Sequence, residues 1–157
     1  MIEPKYIFQL TAYNAKKLLP QVSRALEERN EMVSRAKYPF LWRHKDKLAA
    51  KGKAKPPKPR PDWKKNPYDK TAANLLKGKD QFLPEDNIQI LIYDEGLKSH
   101  ASYTPFKEFY GVIETKDTIM LVYGPLVTLL QKRDLLGGDL DGLRSLLQER
   151  IAIYKHI

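Results

Sequence analysis

Turn-forming residues divide the C-terminal half of the chain into short apolar segments. Five such segments follow one another: Asn87–Tyr93, Leu97–Tyr103, Phe109–Glu114, Thr118–Tyr123 and Leu126–Gln131. Asp94-Glu95-Gly96, Thr115-Lys116-Asp117 and Gly124-Pro125 lie between them as tight turns. Connections this short join antiparallel neighbours, because parallel strands need a much longer crossover. The sequence therefore predicts an antiparallel meander.

A helical pattern follows the meander. Gly137-Gly138 interrupts the chain, and Asp139 is a typical helix N-cap. Apolar residues then recur at helical spacing and form one stripe: Leu140, Leu143, Leu147, Ile151 and Tyr154. Such a stripe needs an apolar surface to cover, and a half-exposed sheet provides one. We expect an α+β fold in which a C-terminal amphipathic helix closes a curved antiparallel sheet.

The N-terminal part contributes a strand and helices. Lys5–Leu10 has Tyr6, Phe8 and Leu10 at alternate positions and contains good β-formers, so it predicts a strand. The helix that follows either runs from Pro20 to Arg35 or begins earlier and is kinked at Pro20. One face of it is apolar and is either core or a seam between two copies of the chain: Leu19, Val22, Leu26 and Val33. A further helix is predicted over Tyr68–Lys77, before Gly78.

The positive charge of the chain is concentrated in one interval. The chain has 28 Lys and Arg against 19 Asp and Glu. Arg43–Lys65 holds ten positive and two negative residues, which leaves 18 and 17 for the rest. Four prolines between residues 56 and 61 exclude a regular helix or a sheet interior. We therefore expect residues 43–67 to be a basic linker or exposed loop. It would join an N-terminal unit of residues 1–42 to a main domain of residues 68–157.

Aromatic residues flank the basic interval. Tyr38, Phe40 and Trp42 precede the prolines, and Trp63 and Tyr68 follow them. Rings among cations suit single-stranded nucleic acid, and they equally suit an anionic membrane surface. The alternative is that Phe40, Leu41 and Trp42 pack into the body while the lysines solvate a loop. The candidate binding residues are Trp42, Arg43, Lys45, Lys47, Lys51, Lys53, Lys55, Lys58, Arg60, Trp63, Lys64 and Lys65.

The sequence contains no recognisable catalytic motif. It has no phosphate-binding glycine loop, no nucleophile elbow and no cysteine. His44, His100 and His156 are far apart, so we expect no metal site and no cofactor. Glu114 stands out as a carboxylate inside an apolar strand, and on a two-faced sheet it should point outward. We expect a protein that is not an enzyme and has no small-molecule substrate or catalytic residues.

Two short stretches carry a family resemblance. Ile113-Glu114-Thr115-Lys116-Asp117 precedes an apolar strand, and Lys132-Arg133-Asp134 follows the last strand. Over residues 87–151 this arrangement resembles the C-terminal domain of YcxB-like proteins, which is similar to bacterial pleckstrin-homology-like modules. The resemblance implies a half-barrel closed by a helix and no catalytic residues. Those proteins usually carry a pair of membrane-spanning helices where this chain has its charged helix and Lys/Pro interval.

These observations favour a non-enzymatic bacterial binding module that recognises an acidic protein or an anionic membrane surface through residues 43–65. One alternative is binding to RNA or a ribonucleoprotein. Another is inhibition of a toxin by an immunity-type protein. The expected location is the cytoplasm, with peripheral attachment to the inner membrane if the partner is a bilayer. The N-terminal helix is the candidate contact for a homo-oligomer.

Overall fold

The computed structural model describes residues 3–52, 66–77, 88–99, 102–123, 126–137 and 139–157. These ranges contain four helices and nine strands. The helices are α1 (Ala15–Lys37), α2 (Pro39–Ala50), α3 (Asp69–Lys77) and α4 (Leu140–Arg150). The strands are β1 (Tyr6–Gln9), β2 (Gln89–Ile92), β3 (Gly96–Ser99), β4 (Ser102–Pro105), β5 (Gly111–Glu114), β6 (Thr118–Tyr123), β7 (Leu126–Gln131), β8 (Leu135–Leu136) and β9 (Tyr154–His156). The fold is mixed α+β, as predicted.

The strands form two sheets rather than one. The first has the order β4-β3-β2-β1-β8, and all its described pairings are antiparallel. The N-terminal strand is internal to it, with Tyr6 opposite Ile92 and Ile7 opposite Leu136. The second sheet has the order β7-β6-β5-β9, and its last pair, β5 with β9, is parallel. Both ends of the chain thus contribute strands.

The second sheet is covered on both faces. Successive residues of β6 point to opposite sides, so Ile119 joins one buried cluster and Met120 the other. The first cluster includes side chains from the five-stranded sheet and α4, among them Phe8, Ile92, Leu143 and Leu147. The second includes side chains from α1 and α3, among them Leu18, Val22, Leu26 and Leu76. The expectation of a half-exposed sheet was wrong for these strands. Burial on both faces explains why β6 is apolar without interruption after Thr118.

Most predicted elements are present. Strands β1, β2, β5, β6 and β7 and helices α3 and α4 lie within or close to their predicted bounds. The segment Leu97–Tyr103 differs, because it forms the antiparallel hairpin β3–β4, with Ser99 opposite Ser102. Its sequence between the two strands has none of the Gly, Pro, Asn or Asp residues by which a turn is recognised. A single strand was therefore the wrong prediction.

The C-terminal helix is shorter than its apolar stripe. It begins after Asp139, whose side chain accepts a hydrogen bond from the backbone N–H of Asp141 at 3.0 Å. It ends at Arg150, and Ile151 is already in an extended conformation. Tyr154 therefore belongs to strand β9, and its predicted position on the helix was wrong. β-branched Ile151 and Ile153 favour extended backbone, which accounts for the change.

Helix α1 begins earlier than Pro20. The side chain of Asn14 caps it by accepting a hydrogen bond from the N–H of Lys17 at 3.2 Å. Pro20 lies within its second turn, so the longer of the two predicted helices is observed. Its apolar face, with Leu18, Val22 and Leu26 buried, packs against the second sheet.

The predicted linker begins as a helix. Arg43–Ala50 lies on α2, and the loop prediction was wrong over these residues. Pro39 occupies the first turn of α2, where its missing N–H costs nothing, and the Leu, Lys, Arg and Ala residues after it are good helix formers. Residues 53–65 of the interval lie outside the described residues.

Candidate functional site

Helix α2 has no fully buried side chain. Two of its apolar side chains face solvent: Phe40 is 79% exposed and Leu41 is 52% exposed. Tyr38, just before the helix, is 58% exposed. The alternative in which Phe40, Leu41 and Trp42 pack into the body is therefore wrong for Phe40 and Leu41, whereas Trp42 is half-buried.

One side of α2 is fastened to α1. The indole Nε1–H of Trp42 donates a hydrogen bond to the hydroxyl of Ser34 at 2.9 Å. The guanidinium of Arg35 lies 4.3 Å from the centre of the Trp42 ring, and its Nη1 binds Asp46 at 3.0 Å. Trp42 and Asp46 are four residues apart and so share one face of α2. That face is directed at α1, which fixes which side of α2 is left outward.

The opposite side of α2 combines apolar and cationic side chains. At about 100° per residue, Phe40, His44 and Leu48 lie opposite Trp42 and Asp46, and Leu41 lies beside Leu48. We call Phe40, Leu41, His44 and Leu48 the outer face. Its flanks carry the cations of the helix: Arg43, Lys45 and Lys47, with Lys51 at the C-terminal cap. The arrangement is an apolar centre with cationic borders.

Five of the twelve predicted binding residues are described, and all five lie on or next to α2. Arg43 lies 5.6 Å from the ring of Phe40, and the Nζ of Lys45 lies 4.8 Å from the ring of Trp42. Lys47 is exposed on the helix, and Lys51 follows its last turn. The other seven lie outside the described residues: Lys53, Lys55, Lys58, Arg60, Trp63, Lys64 and Lys65. Neither the helix itself nor the exposure of Phe40 and Leu41 was predicted from the sequence.

Glu114 forms a second cluster of charged groups, and it is fully buried. The expectation that it points outward was wrong. Arg144 on α4 donates to both of its carboxylate oxygens, from Nε at 2.7 Å and from Nη2 at 2.6 Å. The Nζ of Lys132 donates at 2.6 Å, and the hydroxyl of Tyr154 also donates to the carboxylate. His156 Nε2 lies 3.6 Å from it.

These partners determine the protonation of the cluster. Burial by itself would raise the pKa of Glu114, but hydrogen bonds from Arg144, Lys132 and Tyr154 lower the pKa to about 2. Burial and the neighbouring carboxylate raise the pKa of Tyr154 above its usual value. At neutral pH, Glu114 is a carboxylate whose lone pairs are taken by its own neighbours. It is therefore well suited to join β5, α4 and β9 and poorly suited to accept a proton from a substrate.

The other residues considered as chemical groups have structural roles where they are described. Asp94 forms an ion pair with Lys5 at 2.7 Å, and Asp139 caps α4. His100 lies outside the described residues. Among the residues that the structure does describe, no three or more His, Cys, Asp or Glu side chains are grouped so that they could hold a metal ion.

Two further findings concern the chain as a whole. Within the described ranges, every helix is too short or too polar to cross a bilayer. Comparison with family models, curated proteins and solved structures gave no match to this chain.

Proposed function

We propose that this protein is a non-enzymatic module that attaches to an anionic membrane surface through the outer face of α2. The observation that carries the proposal is the exposure of Phe40 and Leu41 between cationic side chains on a helix that buries nothing in the core. Helices that lie in the membrane interface have this composition, with large apolar side chains on one side and Lys or Arg beside them.

The two kinds of side chain make complementary contributions to binding. Arg43, Lys45 and Lys47 would each contribute about 1 kcal/mol near an anionic leaflet. Inserting Phe40 and Leu41 into the headgroup region would add part of the roughly 1.5–3 kcal/mol that full burial of such a side chain provides. Weak, salt-dependent and reversible attachment is expected from this combination.

The contacts of the Trp42 ring favour a membrane over a nucleic acid as the partner. Single-stranded nucleic acid is held by bases stacked on open aromatic faces. The ring of Trp42 is already contacted by Arg35 and Lys45, at 4.3 and 4.8 Å from its centre. The exposed ring of Phe40 has Arg43 beside it, 5.6 Å from its centre, and the aliphatic side chain of Leu41 offers nothing for a base to stack on. An RNA or an acidic protein is the competing partner that the experiment has to exclude.

Vesicle sedimentation tests the proposal. We expect the protein to sediment with vesicles of phosphatidylglycerol and phosphatidylcholine, and to stay in the supernatant with phosphatidylcholine alone. The double variant Phe40→Ser/Leu41→Ser should lose most of this binding. Leu136→Ser/Ile153→Ser is the matched control, because these side chains are 49% and 40% exposed but lie on other elements. Binding to an RNA oligonucleotide without binding to vesicles would refute the proposal.

The fold and location belong to the same proposal. The packing of Leu143 and Leu147 of α4 against side chains of both sheets supports a relationship to a pleckstrin-homology-like half-barrel closed by its C-terminal helix. The division into two sheets is the main difference from that description. We place the protein at the cytoplasmic side of a bacterial inner membrane, and a toxin-inhibiting role has no support from α2.

A further inference from the structure

Asp46 is the acidic residue of an otherwise cationic helix. The sequence of α2 is Pro-Phe-Leu-Trp-Arg-His-Lys-Asp-Lys-Leu-Ala-Ala, with three Lys or Arg residues and this one carboxylate. Near an anionic surface a carboxylate reduces attraction, so on charge alone its removal would strengthen binding.

Asp46 has a specific partner on α1. Its Oδ2 accepts a hydrogen bond from Nη1 of Arg35 at 3.0 Å, and its Oδ1 lies 3.5 Å from Nη2. The same guanidinium binds Glu31 at 3.1 Å and covers the ring of Trp42. Arg35 of α1 thus contacts two side chains of α2, Asp46 and Trp42.

The contacts between α1 and α2 determine the direction of α2. No side chain of α2 is fully buried, although Trp42 and Leu48 are half-buried. The direction of α2 therefore depends largely on contacts such as the Arg35–Asp46 pair and the Trp42–Ser34 hydrogen bond. Both contacts are on the face opposite Phe40 and His44. A fixed helix presents Phe40 and Leu41 together on one side, whereas a loosened helix has to be ordered again each time it binds.

We propose that the Arg35–Asp46 pair positions α2 for docking, so that Asp46 strengthens attachment to an anionic membrane despite its negative charge. The inference rests on the proposed function and makes Asp46 and Arg35 positioning residues of that site.

The sign of one mutational effect tests the inference. Asp46→Asn makes α2 more cationic, and charge alone would tighten binding to phosphatidylglycerol vesicles about fivefold. We expect it to weaken binding threefold or more. Asp46→Glu keeps both the charge and the partner, so it should bind within about twofold of the unchanged protein. Asp94→Asn, which alters an exposed pair with Lys5 on the sheet, is the control with the same change in net charge.

A measurement without lipid tests directly whether the Arg35–Asp46 pair keeps α2 against α1. In a Trp63→Phe background, the fluorescence comes from Trp42, and quenching by neutral acrylamide should increase in Asp46→Asn while the melting temperature stays unchanged. Equal or tighter vesicle binding by Asp46→Asn would overturn the inference and leave the proposed function standing. Absence of lipid-dependent binding in the unchanged protein would overturn both, and the quenching result would still show whether Asp46 holds α2.

Discussion

The guanidinium of Arg144 binds both oxygens of the Glu114 carboxylate, with Nε 2.7 Å from Oε1 and Nη2 2.6 Å from Oε2. This two-point contact joins α4 to the end of β5. Tyr154 joins β9 to the same carboxylate, and Lys132 adds the segment that follows β7. Four parts of the fold therefore meet at one buried charge, which makes it a sensitive point for stability.

Replacing Glu114 by Gln should destabilise the protein by about 3–5 kcal/mol, because the partly buried cations Arg144 and Lys132 would then face a neutral amide that also carries donors. Urea denaturation measures the change. Asp141→Asn is the control: Asp141 also binds Arg144, at 2.8 Å, but is 86% exposed. Its loss should cost less than about 1 kcal/mol. Similar values for the two variants would show that burial of Glu114 contributes little.

The Glu114→Gln variant also tests how the stability of the protein depends on pH. The folded-state pKa of Glu114 is lowered from 4.5 to about 2, so the folded protein holds this proton less tightly than the unfolded chain. The stabilisation is complete above about pH 4.5 and is lost as the pH falls from there towards 2. The difference in unfolding free energy between the unchanged protein and Glu114→Gln should narrow by an amount on the order of 3 kcal/mol over this range. If the difference in unfolding free energy between the two proteins does not change with pH, the pKa of Glu114 is not lowered in the folded state.

The strands could be predicted because their signals are local. Asp94-Glu95-Gly96 and Thr115-Lys116-Asp117 each mark a turn between neighbouring strands, and Asp139 marks the start of α4. The sheet to which each strand belongs could not be predicted in this way. β1 pairs with β2, which is 80 or more residues away, and with β8, which is more than 120 residues away. Periodicity gives a strand's faces but not its neighbours.

The two candidate sites were hidden for different reasons. The partners Lys132, Arg144 and Tyr154 of Glu114 are 18, 30 and 40 residues away, so a carboxylate in an apolar strand suggested only an outward position. The uninterrupted apolar run of β6 was the available sign that both faces are covered. For α2, the available sign was the run of good helix-forming residues after Pro39, and the charge of the interval gives no information about helix formation.

Leu147→Asp should prevent stable folding. Leu147 is fully buried, in the cluster that α4 shares with both sheets, and a carboxylate there would lack a partner. The expected loss exceeds about 4 kcal/mol, which is comparable to the whole stability of many domains. Circular dichroism and thermal melting measure it. Gln148→Asp is the control, because the next residue of the same helix is exposed. A native spectrum and unchanged melting point for Leu147→Asp would refute the packing of α4.

At Gly111, strand β5 lies close to both α1 and the residue that precedes β9. A Cβ atom at this residue would lie 2.5 Å from Sδ of Met32 and 3.0 Å from the backbone oxygen of Ile153. Gly111→Ala should therefore destabilise the protein by about 1–3 kcal/mol, as overpacking of a core does. Because the shorter distance is to Met32, the cost should be smaller in a Met32→Ala background, where that side chain is removed. Urea denaturation of the four proteins gives the coupling between the two sites. An equal cost in both backgrounds would show that Met32 gives way freely and that the Ile153 backbone is the obstacle, which would place the tight contact at β9 and not at α1.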